Sequence, residues 1–219
     1  MQLANEIGIE KIRAIAKDFG IRSSIGKGLA VALGSSEVNL LELTSAYAGF
    51  LSNGKKVNPI GWFDLKIRGE KAVLMTADRS EGMQVIEQNA SAALLYMLKS
   101  VVENGTGARA KIPGWDLGGK TGTSQFMKDA WFIGFNTEYV CGTWMGYDDN
   151  TSLEGVTGGG LPAELCSNII KKLINQNTPV TIPYLTPDEF DQFAGINKNN
   201  NKNIEKNQKN RSIIKALIN

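Results

Sequence analysis

The sequence predicts an α+β fold in which a three-strand antiparallel meander packs with helices. Two apolar stretches, at about 131–136 and 139–147, are joined by a connection so short that only an antiparallel hairpin can form. The glycine-flanked stretch at about 117–124 precedes them and would supply the first strand. Apolar residues at three- and four-residue spacing predict helices at about 9–19, 39–53, 88–103 and 163–174.

Two glycines mark an interruption and the end of the first helical segment. Gly8 interrupts its apolar stripe, and Gly20 stands where a C′ glycine belongs. Because the helical pattern starts at the first residue without a capping residue, we expect the sequence to begin inside a larger fold. The next helix has Asn39 as its predicted N-cap, with Glu42 three residues later as its capping-box partner.

Two further regions lie outside this framework. Alternating apolar residues on either side of a Gly69–Glu70 turn predict a small exposed hairpin at 59–75. Residues 181–219 are predicted to be a polar, Asn/Lys-rich tail that is largely disordered, which leaves 1–180 as the folded domain. Because the Asn/Lys-rich run lacks aromatic residues, a solvated tail is favoured over one that binds RNA or acidic lipid.

The composition excludes several kinds of site. The chain has no histidine, which removes Ser–His and Cys–His catalytic pairs and histidine zinc sites. Two cysteines cannot form a four-ligand thiolate site, so we predict no metal and no cofactor, and we expect Cys141 and Cys166 to be free and buried. The net charge of +2 gives no electrostatic case for nucleic acid. A hydrolase or acyl transferase of this composition needs a lysine, a carboxylate or a terminal amine as its base.

The stretch around Lys120 has two competing interpretations. Residues 114–121 match the phosphate-binding pattern G-x-x-x-x-G-K-[ST]. However, a phosphate-binding loop needs a strand before its first glycine and a helix that begins at the lysine, whereas Gly122 follows almost at once. As a strand, the same stretch offers a lysine charge and the hydroxyls of Thr121 and Thr123, and its free N–H groups can donate to an oxyanion. Gly122 would let another element approach closely, and this second interpretation is favoured.

Several motifs in order make the chain resemble the C-terminal part of the transpeptidase domain of class A penicillin-binding proteins. The matching segments are 32–38, 41–43, 46–48, 105–107, 119–123, 129–135 and 144–149. The resemblance implies a partial penicillin-binding transpeptidase fold. It also implies that Lys120, Thr121, Gly122 and Thr123 bind substrate, with Lys120 supporting the incomplete catalytic site and the Thr123 N–H forming half of an oxyanion hole. The glycine turn at 158–160 would be structural.

Two motifs of that family, S-x-x-K and S-x-N, have no convincing match. Chance S-x-x-K matches begin at Ser24, Ser52 and Ser212, and no S-x-N triplet occurs. We therefore predict that the nucleophilic serine is absent, that the chain alone is not an acyl transferase, and that it exposes a large apolar surface. The resemblance leaves three alternatives open: an inactive fragment, half of a split enzyme completed by a separate N-terminal fragment, and a non-catalytic binding remnant.

The resemblance also implies partners and a location. In the complete enzyme the partner would be the D-Ala-D-Ala stem peptide of peptidoglycan, or a β-lactam in its place. The family acts outside the cytoplasmic membrane and is membrane-anchored. The sequence shows neither a signal peptide pattern nor a run of about 18 apolar residues, so we expect a chain made alone to stay in the cytoplasm.

Overall fold

The computed structural model describes residues 2–174 and 178–195, and it confirms the α+β fold class. The helices are α1 (Gln2–Ile7), α2 (Ile9–Asp18), α3 (Leu40–Leu51), α4 (Gln88–Glu103), α5 (Leu161–Leu173) and α6 (Pro187–Phe193). Short 3-10 turns occur at Leu29–Leu33, Ala108–Ala110 and Gln125–Met127. The four predicted helices match α2, α3, α4 and α5 to within two residues at each end.

The predicted meander is present as a three-stranded antiparallel sheet in the order β3-β4-β5. Its strands are β3 (Gly118–Thr123), β4 (Asp129–Phe135) and β5 (Val140–Gly146). The hairpin between β4 and β5 closes through Asn136, whose side-chain oxygen accepts from the backbone N–H groups of Glu138 and Tyr139. The predicted small hairpin exists as a separate sheet of β1 (Asp64–Lys66) and β2 (Val73–Thr76), so residues 59–63 are not part of a strand.

The N-terminal helices end as predicted. Gly20 has a φ of 102°, and its N–H donates to the Lys17 carbonyl while the Ile21 N–H donates to the Ala16 carbonyl. This pair of bonds is a Schellman motif, which satisfies the last carbonyls of α2. Gly8 separates α1 from α2 with a φ of 90°, a value that glycine adopts without strain.

The cap of α3 differs from the predicted capping box. The Asn39 side chain does accept from the N–H groups of Leu41 and Glu42. The Glu42 carboxylate, however, accepts from the N–H and hydroxyl of Ser23 and from the N–H of Arg22. The Asn39 N–H donates instead to Ser23 Oγ at 3.2 Å. Glu42 therefore joins α3 to the loop after α2 through these hydrogen bonds, because the loop supplies the donors nearest to its carboxylate.

The sheet has helices on both faces. Phe132 on one face packs with Val102 of α4 and with Cys166 and Ile170 of α5. On the other face Phe135 packs with Leu95, Leu98 and Ile182, and the residues Tyr47, Phe50 and Leu51 of α3 contact this cluster. Both phenylalanines are fully buried. The sheet therefore separates two apolar clusters, as expected for a layered α+β domain.

The boundary of the predicted tail at residue 181 is wrong. Ile182 is 1% exposed and Phe190 of α6 is 5% exposed. Phe190 stacks on Tyr96 of α4, with ring centroids 4.8 Å apart. Lys99 of α4 forms an ion pair with Asp116 at 2.9 Å and also donates to the Tyr184 hydroxyl. Residues 181–195 are thus packed on α4, while the rest of the predicted tail lies outside the described residues.

Several apolar side chains are exposed, as predicted. On α5 they form one stripe at four-residue spacing, which we call the α5 stripe: Leu161, Leu165, Ile169 and Leu173, each 38–49% exposed. Strand β5 pairs only with β4 within the described part of the chain, so its other edge is open there. Of the helices that the structure describes, none combines the length and the apolar character needed to cross a membrane.

Candidate functional site

The site predicted around Lys120 lies on β3, an edge strand of the three-stranded sheet. Lys120 pairs with Ile133 and Thr121 with Phe132 in the antiparallel register. Just beyond the strand, the Ser124 N–H donates to the Asp129 carbonyl. Because the backbone groups of successive residues point alternately toward and away from the partner strand, those of Thr121 and Thr123 face the other edge of β3. No strand pairs with this edge in the described part of the chain, and we call it the open edge.

Lys120 is half-buried and its ammonium group lies at this open edge. Its Nζ donates to the Thr121 carbonyl at 2.9 Å. Burial lowers the pKa of Lys120, because desolvation disfavours the charged form. Among residues 2–174 and 178–195, no carboxylate forms an ion pair with this lysine. The charge is therefore available to an anion that reaches the strand edge.

The phosphate-binding interpretation of this stretch is wrong. Lys120 lies inside β3, and no helix begins at it. The lysine is followed by three more strand residues and then a 3-10 turn at Gln125–Met127. The amides that a helix N-terminus would offer to phosphates are consequently absent from this position.

Two loops hold the threonines of β3. The Thr121 and Thr106 hydroxyls are hydrogen-bonded at 2.8 Å, and the Gly158 N–H donates to Thr123 Oγ1 at 3.1 Å. A Cβ at Gly158 would lie 2.3 Å from the Trp131 carbonyl oxygen, and one at Gly159 would lie 2.1 Å from that of Thr106. The glycines let this loop lie directly on the backbone of the sheet.

The contacts of Thr106 and of Phe126 and Met127 were not predicted. Thr106 belongs to segment 105–107, which carries part of the family resemblance, but no contact was predicted for it. The sequence does not show which loop contacts β3. Phe126 and Met127 have φ values of 61° and 52°, which are strained for large side chains. The Ser152 hydroxyl donates to the Phe126 carbonyl and the Leu153 N–H to that of Met127, both at 2.7 Å. Phe126 itself is 80% exposed beside the end of β3.

The chance S-x-x-K matches do not form a nucleophile and base. Ser24 lies in the loop between α2 and the first 3-10 turn, outside any helix. Ser52 is the C-cap of α3, and the ammonium group of Lys55 is paired with Glu81 at 2.6 Å. The match at Ser212 lies outside the described residues. The two described matches therefore lack the helical geometry that places a lysine one turn after a serine.

Comparison with known proteins gives a family match and similar relatives. The family model of the penicillin binding protein transpeptidase domain matches residues 1–169. A penicillin-binding protein 1A from Rickettsia conorii is 30% identical over 216 residues, covering 89% of this chain and 27% of the relative. One from Aquifex aeolicus is 33% identical over 153 residues, covering 70% of this chain and 21% of the relative. The chain thus spans about a quarter of the length of these relatives.

Solved structures show the same fold. Penicillin-binding protein 1A from Haemophilus influenzae superposes with a TM-score of 0.73 at 23% identity, covering 85% of this chain and 34% of that chain. The penicillin-binding protein PonA1 from Mycobacterium tuberculosis gives a TM-score of 0.69 at 21% identity, covering 78% and 51%. A second structure of PonA1 contains penicillin V.

Proposed function

Given that the chain belongs to the penicillin-binding protein transpeptidase family, we propose that it supplies the substrate-binding strand of a peptidoglycan D,D-transpeptidase. In this proposal β3 binds the terminal carboxylate of a D-Ala-D-Ala stem peptide, or the carboxylate of a β-lactam. The observation that carries the proposal is the position of Lys120: its ammonium group lies at the open edge of β3 without an ion-pair partner among the described residues. A penicillin bound to the similar protein PonA1 supports the choice of ligand class.

Four residues of the strand have proposed roles. Lys120 attracts the carboxylate and sets the electrostatics of the site. The hydroxyls of Thr121 and Thr123 donate to the carboxylate oxygens, and the outward N–H of Thr123 donates to the oxyanion that forms when the donor carbonyl is attacked. Gly122 keeps the strand free of a side chain where the ligand approaches. The hydrogen bonds between Thr106 and Thr121 and from Gly158 to Thr123 support these roles. They hold the strand in place, so its donors need not reorganise during the reaction.

We propose that the serine nucleophile comes from outside this chain. The chain contains no S-x-N triplet, and its two described S-x-x-K matches lie in a loop and at a helix end. An exposed α5 stripe and an open edge of β5 are where the rest of a transpeptidase domain would pack. Whether that portion is joined to this chain or is a separate N-terminal fragment, acylation requires both.

The proposed reaction belongs where peptidoglycan is cross-linked, outside the cytoplasmic membrane. The proposed partner there is the stem peptide. That a chain made alone would stay in the cytoplasm remains a prediction from the sequence pattern.

Labelling with a fluorescent penicillin tests the proposal. The chain alone should form no covalent adduct. Co-expression with an upstream segment that encodes S-x-x-K and S-x-N should give an adduct whose serine lies on that segment. Lys120→Ala should reduce this labelling by about tenfold or more, since a charge-assisted contact contributes about 1.5–3 kcal/mol. The exposed lysine variant Lys128→Ala is the matched control and should label normally.

The alternatives predict other outcomes. A covalent adduct on the isolated chain would contradict the proposed absence of a nucleophile. Binding of both segments without any adduct would favour a non-catalytic binding remnant. Labelling that Lys120→Ala leaves unchanged would overturn the role assigned to β3.

A further inference from the structure

The two cysteines of the chain, Cys141 and Cys166, lie against each other between β5 and α5 although 24 residues separate them in sequence. Both are free thiols; Cys166 is fully buried, whereas Cys141 is half-buried, so the expectation that both are buried is correct only for Cys166. The Cys166 thiol donates to the Cys141 carbonyl at 3.6 Å, and Cys141 packs against the apolar cluster that contains Cys166.

Gly134 makes this contact possible. It pairs with Cys141 across the β4–β5 ladder, so both residues face α5 on the same side of the sheet. A Cβ at Gly134 would lie 2.5 Å from Cys166 Sγ. The missing side chain leaves the space in which the Cys166 sulfur reaches the position beside Cys141.

We propose that Cys141 and Cys166 are a disulfide-forming pair, oxidised by a low-molecular-weight disulfide such as oxidised glutathione, and that the bond ties α5 to β5. Neither thiol takes part in the proposed binding of a carboxylate, so the pair stands independently of that function. Because the chain has only these two cysteines, no other intramolecular disulfide can form.

The two thiols have different roles in the exchange. Cys141 is the accessible one, and the hydrogen bond from Cys166 lowers the pKa of Cys141 by stabilising its thiolate. The interaction with Cys141, together with burial, raises the pKa of Cys166. Cys141 is therefore the thiol that reacts with the oxidant, and Cys166 is the thiol that resolves the product.

The chemistry balances in two steps. The Cys141 thiolate attacks one sulfur of oxidised glutathione, forming a mixed disulfide and releasing one glutathione thiolate. Cys166 then attacks Cys141 Sγ, and its proton passes to the second glutathione sulfur as that group leaves. Each protein sulfur gives up one electron, and the two glutathione sulfurs gain them.

Intact-mass analysis of the full chain tests the proposal. The reduced protein is incubated with excess oxidised glutathione, quenched with acid and treated with an alkylating reagent. We expect loss of both alkylation sites and a peptide that links Cys141 to Cys166, with recovery of both thiols after reduction. The proposal is overturned if the two thiols remain reduced at equilibrium. It is also overturned if the wild-type chain keeps a mixed disulfide with glutathione or forms a disulfide-linked dimer.

Single variants separate the two roles. Cys166→Ser should stop at a stable glutathione adduct on Cys141. Cys141→Ser should leave Cys166 largely unmodified in the folded chain, because that thiol is buried. Equal glutathione adducts on both variants would contradict the assigned order of attack.

The oxidised wild type should unfold at a higher urea midpoint than the reduced protein, because the bond constrains the unfolded chain. An unchanged midpoint would contradict the proposed tie between α5 and β5.

Discussion

The Thr106 hydroxyl is hydrogen-bonded to the Thr121 hydroxyl at 2.8 Å, and this contact joins the loop after α4 to the strand that carries Lys120. The same loop meets Gly159 at the Thr106 carbonyl. The glycine turn before α5 thus contacts both β3 and the loop around Thr106. One side of β3 is held by protein while the open edge stays accessible.

Gly159→Ala is expected to destabilise the chain, because its Cβ would meet the Thr106 carbonyl oxygen at 2.1 Å. Backbone shifts of this kind cost about 1–3 kcal/mol. Urea unfolding followed by tryptophan fluorescence measures the change. Gly28→Ala is the matched control, because Gly28 has a φ of −89° and a Cβ there would have no neighbour within 4 Å. Equal midpoints for the two variants would contradict the close packing of the turn on β3.

Lys120→Met is expected to stabilise the chain while abolishing the proposed carboxylate site. Burial holds the pKa of Lys120 below its ordinary value, so the folded state bears a cost while the lysine is charged. That cost is complete below the lowered pKa and disappears as pH rises from it toward the ordinary value. We expect the free energy of unfolding to rise by about 1 kcal/mol at pH 7, which is in the usual range of stabilising substitutions. The increase should be smaller in alkaline solution.

Urea unfolding at several pH values measures this difference. Lys128→Met is the control, because Lys128 is exposed and its substitution should change little. A Lys120→Met chain that is less stable than the wild type at neutral pH would show that the ammonium group stabilises the fold.

Glu42→Gln is expected to weaken the tie between α3 and the loop after α2. The hydrogen bond from the Ser23 side chain, with the backbone N–H groups of Ser23 and Arg22, lowers the pKa of Glu42. The ionised carboxylate therefore contributes stability above its ordinary pKa, and this contribution is lost as pH falls through the lowered value. The wild type should unfold at a higher temperature than the variant at pH 7, and the two should converge in acid. A difference that persists at low pH would mean that charge is not its cause.

Substitution of the α5 stripe is expected to reduce self-association of the isolated chain. Leu165 and Ile169 are exposed on the outer side of α5, and exposed apolar patches of this kind favour association. Leu165→Lys should shift sedimentation toward monomer and change the free energy of unfolding by less than about 0.5 kcal/mol. Asn168→Lys adds the same charge at an exposed polar position of the same helix. If both variants associate as the wild type does, the stripe is not the contact surface.

Local patterns were enough to predict most elements. Apolar spacing identified α4 and α5 because one face of each helix packs on the sheet and must be apolar. The short connection at Asn136 required an antiparallel hairpin. Gly20 predicted the end of α2 because few other residues adopt a φ of 102°. The order of motifs also indicated the family that the chain belongs to.

The contacts between distant segments were decided by tertiary structure. Sequence could not show that Glu42 binds Ser23 rather than its own N-cap, since both partners are within reach of a flexible carboxylate. Nor could it place Ile182 and Phe190 in the core, because neither lies in a long periodic apolar segment and their apolar partners, on α4 and β4, are distant in sequence.

The sequence by itself determined that Lys120 lies on a strand between small residues and that no histidine chemistry is available. Only the tertiary structure decided which groups surround that strand. Thr106, Gly158 and Gly159 reach β3 through loops whose paths are set by the packing of α4 and α5. The same packing brings Cys166 to Cys141. The physical reason is that strands and helices follow from near neighbours in the chain, whereas sites form where elements far apart in sequence pack together.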